Sequence, residues 1–219
     1  GAVICGMGTD HLMIQGVKTL HDSLWKVAGD RIAAGTYCSG VMMAGGSISL
    51  KEVIPEQLEE PLILFQRAGA VVKRERERLF ICMKDRPDPL KISTGPYPGF
   101  PTDMQSLFMA FLSIAKGESC ITENVFEDRF GTAAELVKMG ADITCQGKTA
   151  VIKGVPLLAG TKVRALDLRG AAALVMAALG AEGSTIIEDC YHIKRGYEDI
   201  CRDLRALGGR ADWMESDTG

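Results

Sequence analysis

The sequence predicts an α/β (α+β) fold of repeated units, in which three buried helices are surrounded by small mixed sheets. A glycine ends an amphipathic segment and precedes a strand-like run at about 70-residue intervals, at Gly69, Gly140 and Gly208. A second glycine follows Ala-rich helical segments with a similar period, at Gly46, Gly117 and Gly183. Apolar residues make up 47% of the chain and aromatic residues only 6%, which predicts a core of Ala, Val, Ile, Leu and Met.

Each unit is predicted to contain a buried helix, a short strand, an amphipathic helix and a two-stranded hairpin. Near-continuous Ala, Met, Leu and Val indicate interior helices at about 30–44, 103–116 and 168–181. Charged residues on one face indicate solvent-facing helices at about 55–68, 131–139 and 196–207. Partly β-branched, partly charged segments predict hairpins with one wet face at about 70–83, at 141–153 and from 210.

The first 29 residues are predicted to lie outside this repeat. Residues 1–17 are predicted to form a hairpin of a preceding unit, and residues 18–29 a connector. The chain starts at Gly1 without a Met, which predicts the inside of a longer protein. The expected organisation is therefore the tail of a preceding domain plus a linker over 1–29, then one domain over 30–219. The three units of that domain are expected at about 30–86, 103–154 and 167–214.

Composition and motif content disfavour several classes of protein. The net charge of −3 and the pI of about 5.7 argue against a nucleic-acid partner, because nucleic-acid-binding surfaces are basic. No apolar run approaches the roughly 20 residues of a membrane span. The seven cysteines include no Cys-x-x-Cys pair, which indicates the reduced thiols of a cytoplasmic protein. The histidines lack the spacing of metal ligands, and no phosphate-binding glycine loop is present, so we expect neither a metal nor a cofactor.

The predicted repeat also indicates where a site would form. If the buried helices are parallel, their N-termini meet at one end of the domain, where helix dipoles and free N–H groups favour an anion. Residues that precede predicted helix starts line this end: Asp30, Arg31, Asp103, Arg129, Asp167, Arg169 and Arg195. An arginine at a helix N-terminus is unfavourable, because the helix dipole places partial positive charge there, so we expect a negatively charged partner nearby. That partner is either a local carboxylate, such as Asp128 or Glu198, or a bound phosphate or carboxylate.

The stretch 94–103 has three prolines and two glycines in ten residues, which predicts a stiff, extended loop rather than a helix or strand. It ends at Asp103, just before an apolar helix. Thr102 or Asp103 is therefore either an N-cap or, for Asp103, a carboxylate held at the mouth of a site. The neighbouring charges at Asp167 and Arg169 leave a similar choice between a surface ion pair and a ligand-binding role.

Four segments have the order and spacing of those in the enolpyruvyl transferases, a family that the chain resembles over nearly its whole length. They are PGFPTDMQ at 98–105, ENVFEDRF at 123–130, DLR at 167–169 and HIKRGYE at 192–198. The resemblance implies an inside-out barrel fold of two domains, each with three repeated units around internal helices. It further implies that this chain corresponds to the C-terminal half, and that the other half is a partner it requires.

The resemblance also implies roles for particular residues. Asp103 resembles the general base that takes a proton from the acceptor hydroxyl, and Asp167 a carboxylate that faces the reacting carbons. The residues implied as catalytic are Asp103, Asp167 and Arg195. Those implied to bind substrate are Asp103, Asn124, Val125, Arg129, Arg169 and Arg195, with the arginines holding phosphoenolpyruvate and its departing phosphate.

Within the family, the segments look most like the branch that transfers the enolpyruvyl group of phosphoenolpyruvate to the 3′-hydroxyl of UDP-N-acetylglucosamine. That branch implies a role in peptidoglycan synthesis, without nucleic acid or membrane as a partner. The alternatives are the branch acting on shikimate 3-phosphate and a non-catalytic binding module of the same repeat fold. Several features depart from the family pattern. The residues that the family draws from its first half, including a mobile loop with a reactive Cys, have no counterpart here. Asp128, where Asn is common, is a minor departure.

Overall fold

Residues 1–214 are described here in a computed structural model, which contains six α-helices and eleven β-strands within that range. The helices are α1 (Arg31–Ala44), α2 (Glu59–Arg67), α3 (Gln105–Leu112), α4 (Gly131–Lys138), α5 (Leu168–Leu179) and α6 (Ile200–Ala206). The strands are β1 (Val3–Cys5), β2 (Met13–Gln15), β3 (Gly46–Lys51), β4 (Val71–Glu75), β5 (Arg78–Met83), β6 (Lys91–Ser93), β7 (Glu118–Thr122), β8 (Asp142–Gln146), β9 (Thr149–Lys153), β10 (Lys162–Arg164) and β11 (Ile186–Glu188).

The helices α1, α3 and α5 pack against one another and form the centre of the domain. All eight residues of α3 are buried, as expected for a helix that is apolar all round. Small residues permit close packing: a Cβ atom on Gly35 would lie 2.3 Å from the Met104 side chain, and one on Gly40 would lie 2.8 Å from Met176. The three interior helices predicted from composition are therefore confirmed.

The contacts along these helices follow the order of a parallel bundle. Gly35 in the first half of α1 lies against Met104, just before α3. At the other end, a Cβ atom on Gly180, which follows α5, would lie 2.6 Å from the carbonyl oxygen of Met43 near the end of α1. The helix N-termini consequently gather at one end of the domain, as the sequence predicted.

Small sheets lie around the helices. The largest of the described sheets has four strands in the order β6-β7-β9-β8, with β6 parallel to β7 and the other pairs antiparallel. A second sheet is antiparallel, with the order β3-β5-β4, and β10 and β11 form a parallel pair. The hairpins predicted at 70–83 and 141–153 are β4–β5 and β8–β9. These mixed sheets around buried helices confirm the predicted α/β class.

The hairpin predicted from 210 is not formed in residues 210–214, and the rest of it lies outside the described residues. The segment instead turns back towards α6, where Arg205 pairs with Asp212 at 2.5 Å. The indole N–H of Trp213 donates to Asp199 at 3.1 Å. Residues 210–214 therefore lie beside α6 and form no strand.

Residues 1–17 contain the antiparallel pair β1–β2, and residues 18–29 contain no helix or strand. Every residue from 1 to 29 is exposed, whereas α1 is largely buried from its second residue onward. This change in burial is compatible with the predicted boundary at 29/30. The assignment of 1–29 to a preceding domain, and the limits of the three units, stay predictions.

Replacing Phe108 with Ala is expected to lower the free energy of unfolding by about 3–5 kcal/mol, because the cavity left by a buried aromatic ring collapses only partly. Phe108 is fully buried, and its ring centroid lies 4.7 Å from those of Phe65, Phe100 and Phe111. Urea denaturation of the purified chain measures this loss. The matched control Phe126→Ala removes a half-exposed ring and should cost about 1 kcal/mol or less. Equal losses in the two variants would contradict the prediction.

Candidate active site

Asp103 lies at the N-terminal end of the helix bundle, where its carboxylate meets two arginines. Nη2 of Arg129 lies 3.3 Å from Oδ1 of Asp103, and Nε of Arg169 lies 3.4 Å from the same oxygen. The two guanidinium side chains are about four-fifths buried, at 23% and 19% exposure, while the Asp103 side chain is 40% exposed. The Asp103 carboxylate is thus accessible to solvent and contacts two largely buried arginines. Both guanidinium groups can also bind an anion.

The alternative interpretation of Thr102 or Asp103 as a helix cap is wrong. Asp30 and Asp167 cap α1 and α5 by accepting backbone N–H groups, but the start of α3 has no such side-chain bond among the described residues. Asp103 lies within the short 3-10 turn Thr102–Met104 and turns towards the arginines. The hydroxyl of Thr102 donates to Glu123 instead.

Arg129 reaches Asp103 from the loop between β7 and α4. The preceding Asp128 has a φ of 53°, in the left-handed region that Asn and Asp tolerate better than most residues. An Asp in place of the family's Asn is therefore compatible with this backbone. The guanidinium of Arg129 also lies 5.1 Å from the ring centroid of Phe126, within the range of a cation–π contact. Its carboxylate partner is Asp103 and not the expected local partner, Asp128.

Arg169 and Asp167 occupy the first turn of α5. Oδ1 of Asp167 accepts from the backbone N–H groups of Arg169 and Gly170, each at 2.8 Å. The side chain of Arg169 points instead to Asp103, with Nε 3.4 Å from Oδ1. Burial raises the pKa of Tyr197, against the opposing effects of its hydrogen bond with Thr36 and of the nearby positive charge of Arg169. The proposed surface ion pair between Asp167 and Arg169 is therefore not the contact that the structure contains.

Arg195 is exposed at the end of the short 3-10 helix Cys190–Arg195, which packs against α5. The next residue, Gly196, approaches α5 closely, since a Cβ atom there would lie 3.1 Å from Leu168. Arg195 thus lies on the side of the domain where α5 begins, but it is not among the described contacts of Asp103. Its expected local partner, Glu198, pairs with Arg202 at 3.4 Å.

Asn124 and Val125 follow β7 and lie beside the stiff loop 94–103. The Asn124 side chain donates to the hydroxyl of Ser93 at 2.7 Å, and its backbone N–H donates to the hydroxyl of Thr94 at 2.8 Å. Both residues are exposed. The structure therefore presents them to solvent on the loop that also carries Arg129.

Sequence reasoning missed Glu123, although it opens one of the four family segments. This carboxylate is 1% exposed and accepts four hydrogen bonds. Burial alone would raise the pKa of Glu123, but hydrogen bonds from Thr94, Val125, Phe126 and Thr102 outweigh burial and hold it below its usual value. The sequence does contain one signal, because Glu123 is an acidic residue directly after the strand β7. A charged side chain at such a place is buried only if hydrogen-bond partners surround it.

The described residues meet the requirements of neither a metal site nor a membrane-spanning helix. Between Gly1 and Met214, no group of three or more His, Cys, Asp or Glu side chains is arranged to hold a metal ion. Across the same stretch, the helices are all too short or too polar to cross a membrane.

The chain belongs to the EPSP synthase (3-phosphoshikimate 1-carboxyvinyltransferase) family, whose profile matches residues 1–204. Among curated relatives, the UDP-N-acetylglucosamine 1-carboxyvinyltransferase of Aeromonas hydrophila is 45% identical over 97% of this chain. The UDP-N-acetylglucosamine 1-carboxyvinyltransferase 2 of Caldanaerobacter subterraneus is 44% identical over 95%. The chain spans about half the length of these relatives, 51% and 50% respectively.

Solved structures agree with the family assignment. The enolpyruvyl transferase NikO from Streptomyces tendae superposes with a TM-score of 0.84 at 27% identity, covering 95% of this chain and 50% of that one. An EPSP synthase from Acinetobacter baumannii gives a TM-score of 0.61 at 20% identity, covering 88% and 45%. The second likeness concerns the fold alone.

Proposed function

We propose that this chain forms one wall of the active site of an enzyme that transfers the enolpyruvyl group of phosphoenolpyruvate to the 3′-hydroxyl of UDP-N-acetylglucosamine, with release of phosphate. The observation that carries the proposal is the Asp103 carboxylate, exposed to solvent and in contact with Arg129 and Arg169. The 45% identity to a relative named for this reaction supports the choice of acceptor. Peptidoglycan synthesis in the cytoplasm is the biological setting that this chemistry implies.

In this mechanism Asp103 is the general base. It accepts the proton of the 3′-hydroxyl while that oxygen bonds to C2 of phosphoenolpyruvate and C3 gains a proton. Loss of a proton from C3 then restores the double bond and expels phosphate from the tetrahedral intermediate. Asp103 therefore needs an exposed oxygen, which its 40% exposure supplies.

The arginines stabilise the charge of the substrate. Phosphoenolpyruvate carries a phosphate and a carboxylate, and guanidinium groups match both with paired N–H donors. We assign Arg129 and Arg169 to this anion, because both are shielded and already lie within 3.5 Å of Asp103. We assign Arg195 to the departing phosphate, Asp167 to the reacting carbons, and Asn124 with Val125 to the sugar nucleotide.

A second domain is needed to complete the site. Asp103, Asn124, Val125 and Arg195 all keep solvent-facing surface in this chain, while charge stabilisation is most effective in a closed, water-excluded cleft. The chain spans about half of its curated relatives. We therefore propose that an N-terminal domain of the same enzyme supplies the opposite wall.

We expect the isolated 219-residue chain to fold and to release no phosphate from phosphoenolpyruvate with UDP-N-acetylglucosamine, whereas the full-length protein releases phosphate with this acceptor. Continuous measurement of phosphate release from both proteins tests this expectation. Shikimate 3-phosphate, the acceptor implied by the family name, serves as the alternative substrate. Turnover by the isolated chain would contradict the need for a second wall. Faster turnover with shikimate 3-phosphate would overturn the proposed acceptor.

A further inference from the structure

Glu123 joins the two loops that carry the candidate site. Its Oε1 atom accepts from the Thr94 hydroxyl at 2.7 Å and from the backbone N–H groups of Val125 at 2.8 Å and Phe126 at 3.1 Å. Its other oxygen, Oε2, accepts from the Thr102 hydroxyl at 2.8 Å. Thr94 and Thr102 belong to the stiff loop, whereas Val125 and Phe126 belong to the loop that leads to Arg129. One buried carboxylate therefore spans both loops.

The buried Glu123 carboxylate restrains the groups that donate hydrogen bonds to it. Burying a charged group is unfavourable unless hydrogen bonds replace the lost water. Glu123 is 1% exposed, and four donors converge on its two oxygens. Bonds to a charged acceptor are shorter and stronger than neutral ones, so the carboxylate restrains the positions of all four donors.

The two oxygens restrain different parts of the site. Oε1 holds the first turn after β7, and with it the backbone of Val125. Oε2 holds Thr102, whose neighbour in the chain is Asp103. Asp103 makes no cap on α3 among the described residues, so the restraint on Thr102 is a separate means of placing its carboxylate beside Arg129.

We propose that Glu123 is a positioning residue, which acts through the Thr102 hydroxyl to hold Asp103 in contact with Arg129 and Arg169. This inference rests on the proposed function, in which Asp103 is the general base. Small displacements of a reacting group by about 1 Å can lower the rate by up to about 100-fold. Losing the link from Oε2 should therefore reduce kcat, while the sugar-nucleotide contacts held by Oε1 stay in place.

The test is a set of threonine variants in the full-length protein. Thr102→Val keeps the side-chain shape and removes the hydroxyl, and Thr102→Ser restores a hydroxyl at the same position. Thr144→Val is the matched control, because it makes the same change at an exposed position on β8. Phosphate release gives kcat and KM for UDP-N-acetylglucosamine, thermal unfolding gives Tm, and a crystal structure of Thr102→Val gives the separation of Asp103 from Arg129.

We expect Thr102→Val to lower kcat by about tenfold or more and to leave KM for the sugar nucleotide within about twofold. Thr102→Ser should recover most of the lost kcat, and Thr144→Val should match the unmodified protein. The Asp103 carboxylate should lie beyond ion-pair distance of Arg129 in the crystal structure of Thr102→Val.

Other outcomes would overturn the proposal or separate it from the proposed function. A lowered Tm with unchanged kcat would mean that the Glu123–Thr102 bond is structural only, and an unchanged Asp103–Arg129 contact in the crystal would mean the same. If the unmodified full-length protein releases no phosphate with either acceptor, the proposed function fails. The crystal structure still decides whether Glu123 positions Asp103 in that case, because its readout does not depend on catalysis.

Discussion

Asp103→Asn in the full-length protein is expected to lower turnover by about 100-fold or more, while the Tm stays within a few degrees of the unmodified value. The amide keeps the size of the carboxylate but cannot accept the proton of the acceptor hydroxyl. General base catalysis contributes about 10²–10⁴-fold, or roughly 3–5 kcal/mol of the barrier. The stability change should be small, because partly exposed ion pairs contribute about 1 kcal/mol or less and Asp103 caps no helix among the described residues.

The matched control is Asp199→Asn, the same change at the N-cap of α6. Asp199 accepts from the backbone N–H of Arg202 at 3.0 Å, and Asn caps a helix about as well as Asp. Both turnover and Tm should therefore stay close to their original values. A loss of stability in Asp103→Asn without loss of turnover per folded molecule would assign Asp103 a structural role and remove it from the mechanism.

Arg169→Gln is expected to lower kcat/KM for phosphoenolpyruvate by about 100-fold or more, because a shielded donor aimed at developing charge is typically worth 10²–10³-fold. Arg169 is 19% exposed and contacts Asp103 at 3.4 Å. Its Nη2 atom also lies 3.5 Å from Oδ2 of Asp103, so both carboxylate oxygens contact this guanidinium. Steady-state kinetics with varied phosphoenolpyruvate measure the change.

Arg169→Lys separates charge from geometry, because an ammonium keeps the charge but not the paired N–H donors. We expect it to recover only part of the loss. Arg202→Gln is the control, because Arg202 is an exposed arginine whose described ion pairs are with Glu198 and Asp203 and not with Asp103. Near-normal kcat/KM in Arg169→Gln would exclude this arginine from anion binding.

The sequence by itself determined the repeat, the three interior helices and two of the three predicted hairpins. These features depend on local patterns: continuous apolar composition in α3, and glycines in the left-handed region at 69, 140 and 208, with φ of 101°, 94° and 90°. The family segments also identified the residues that the structure brings together around Asp103. Their assigned roles stay predictions until the variants are measured.

Only the tertiary structure decided what each charge contacts. Local sequence made Asp103 a possible cap and paired Arg129 with Asp128, because neighbours in the chain are the only partners that a sequence displays. The contacts in the structure instead join Asp103 to Arg129 and Arg169, 26 and 66 residues away. Coulomb attraction depends on distance in space, and that distance is set by the parallel packing of the buried helices.

The same reason explains why Glu123 was missed and why the hairpin from 210 was wrong for residues 210–214. The donors to Glu123 include Thr94, 29 residues away, which reaches it only because β6 pairs in parallel with β7. The segment after α6 is held to the helix by Arg205 and Asp199, through side-chain bonds that no strand propensity encodes. In both places, partners brought together by the packed structure determine the outcome. A buried carboxylate in particular is stable only when hydrogen-bond donors replace the lost water.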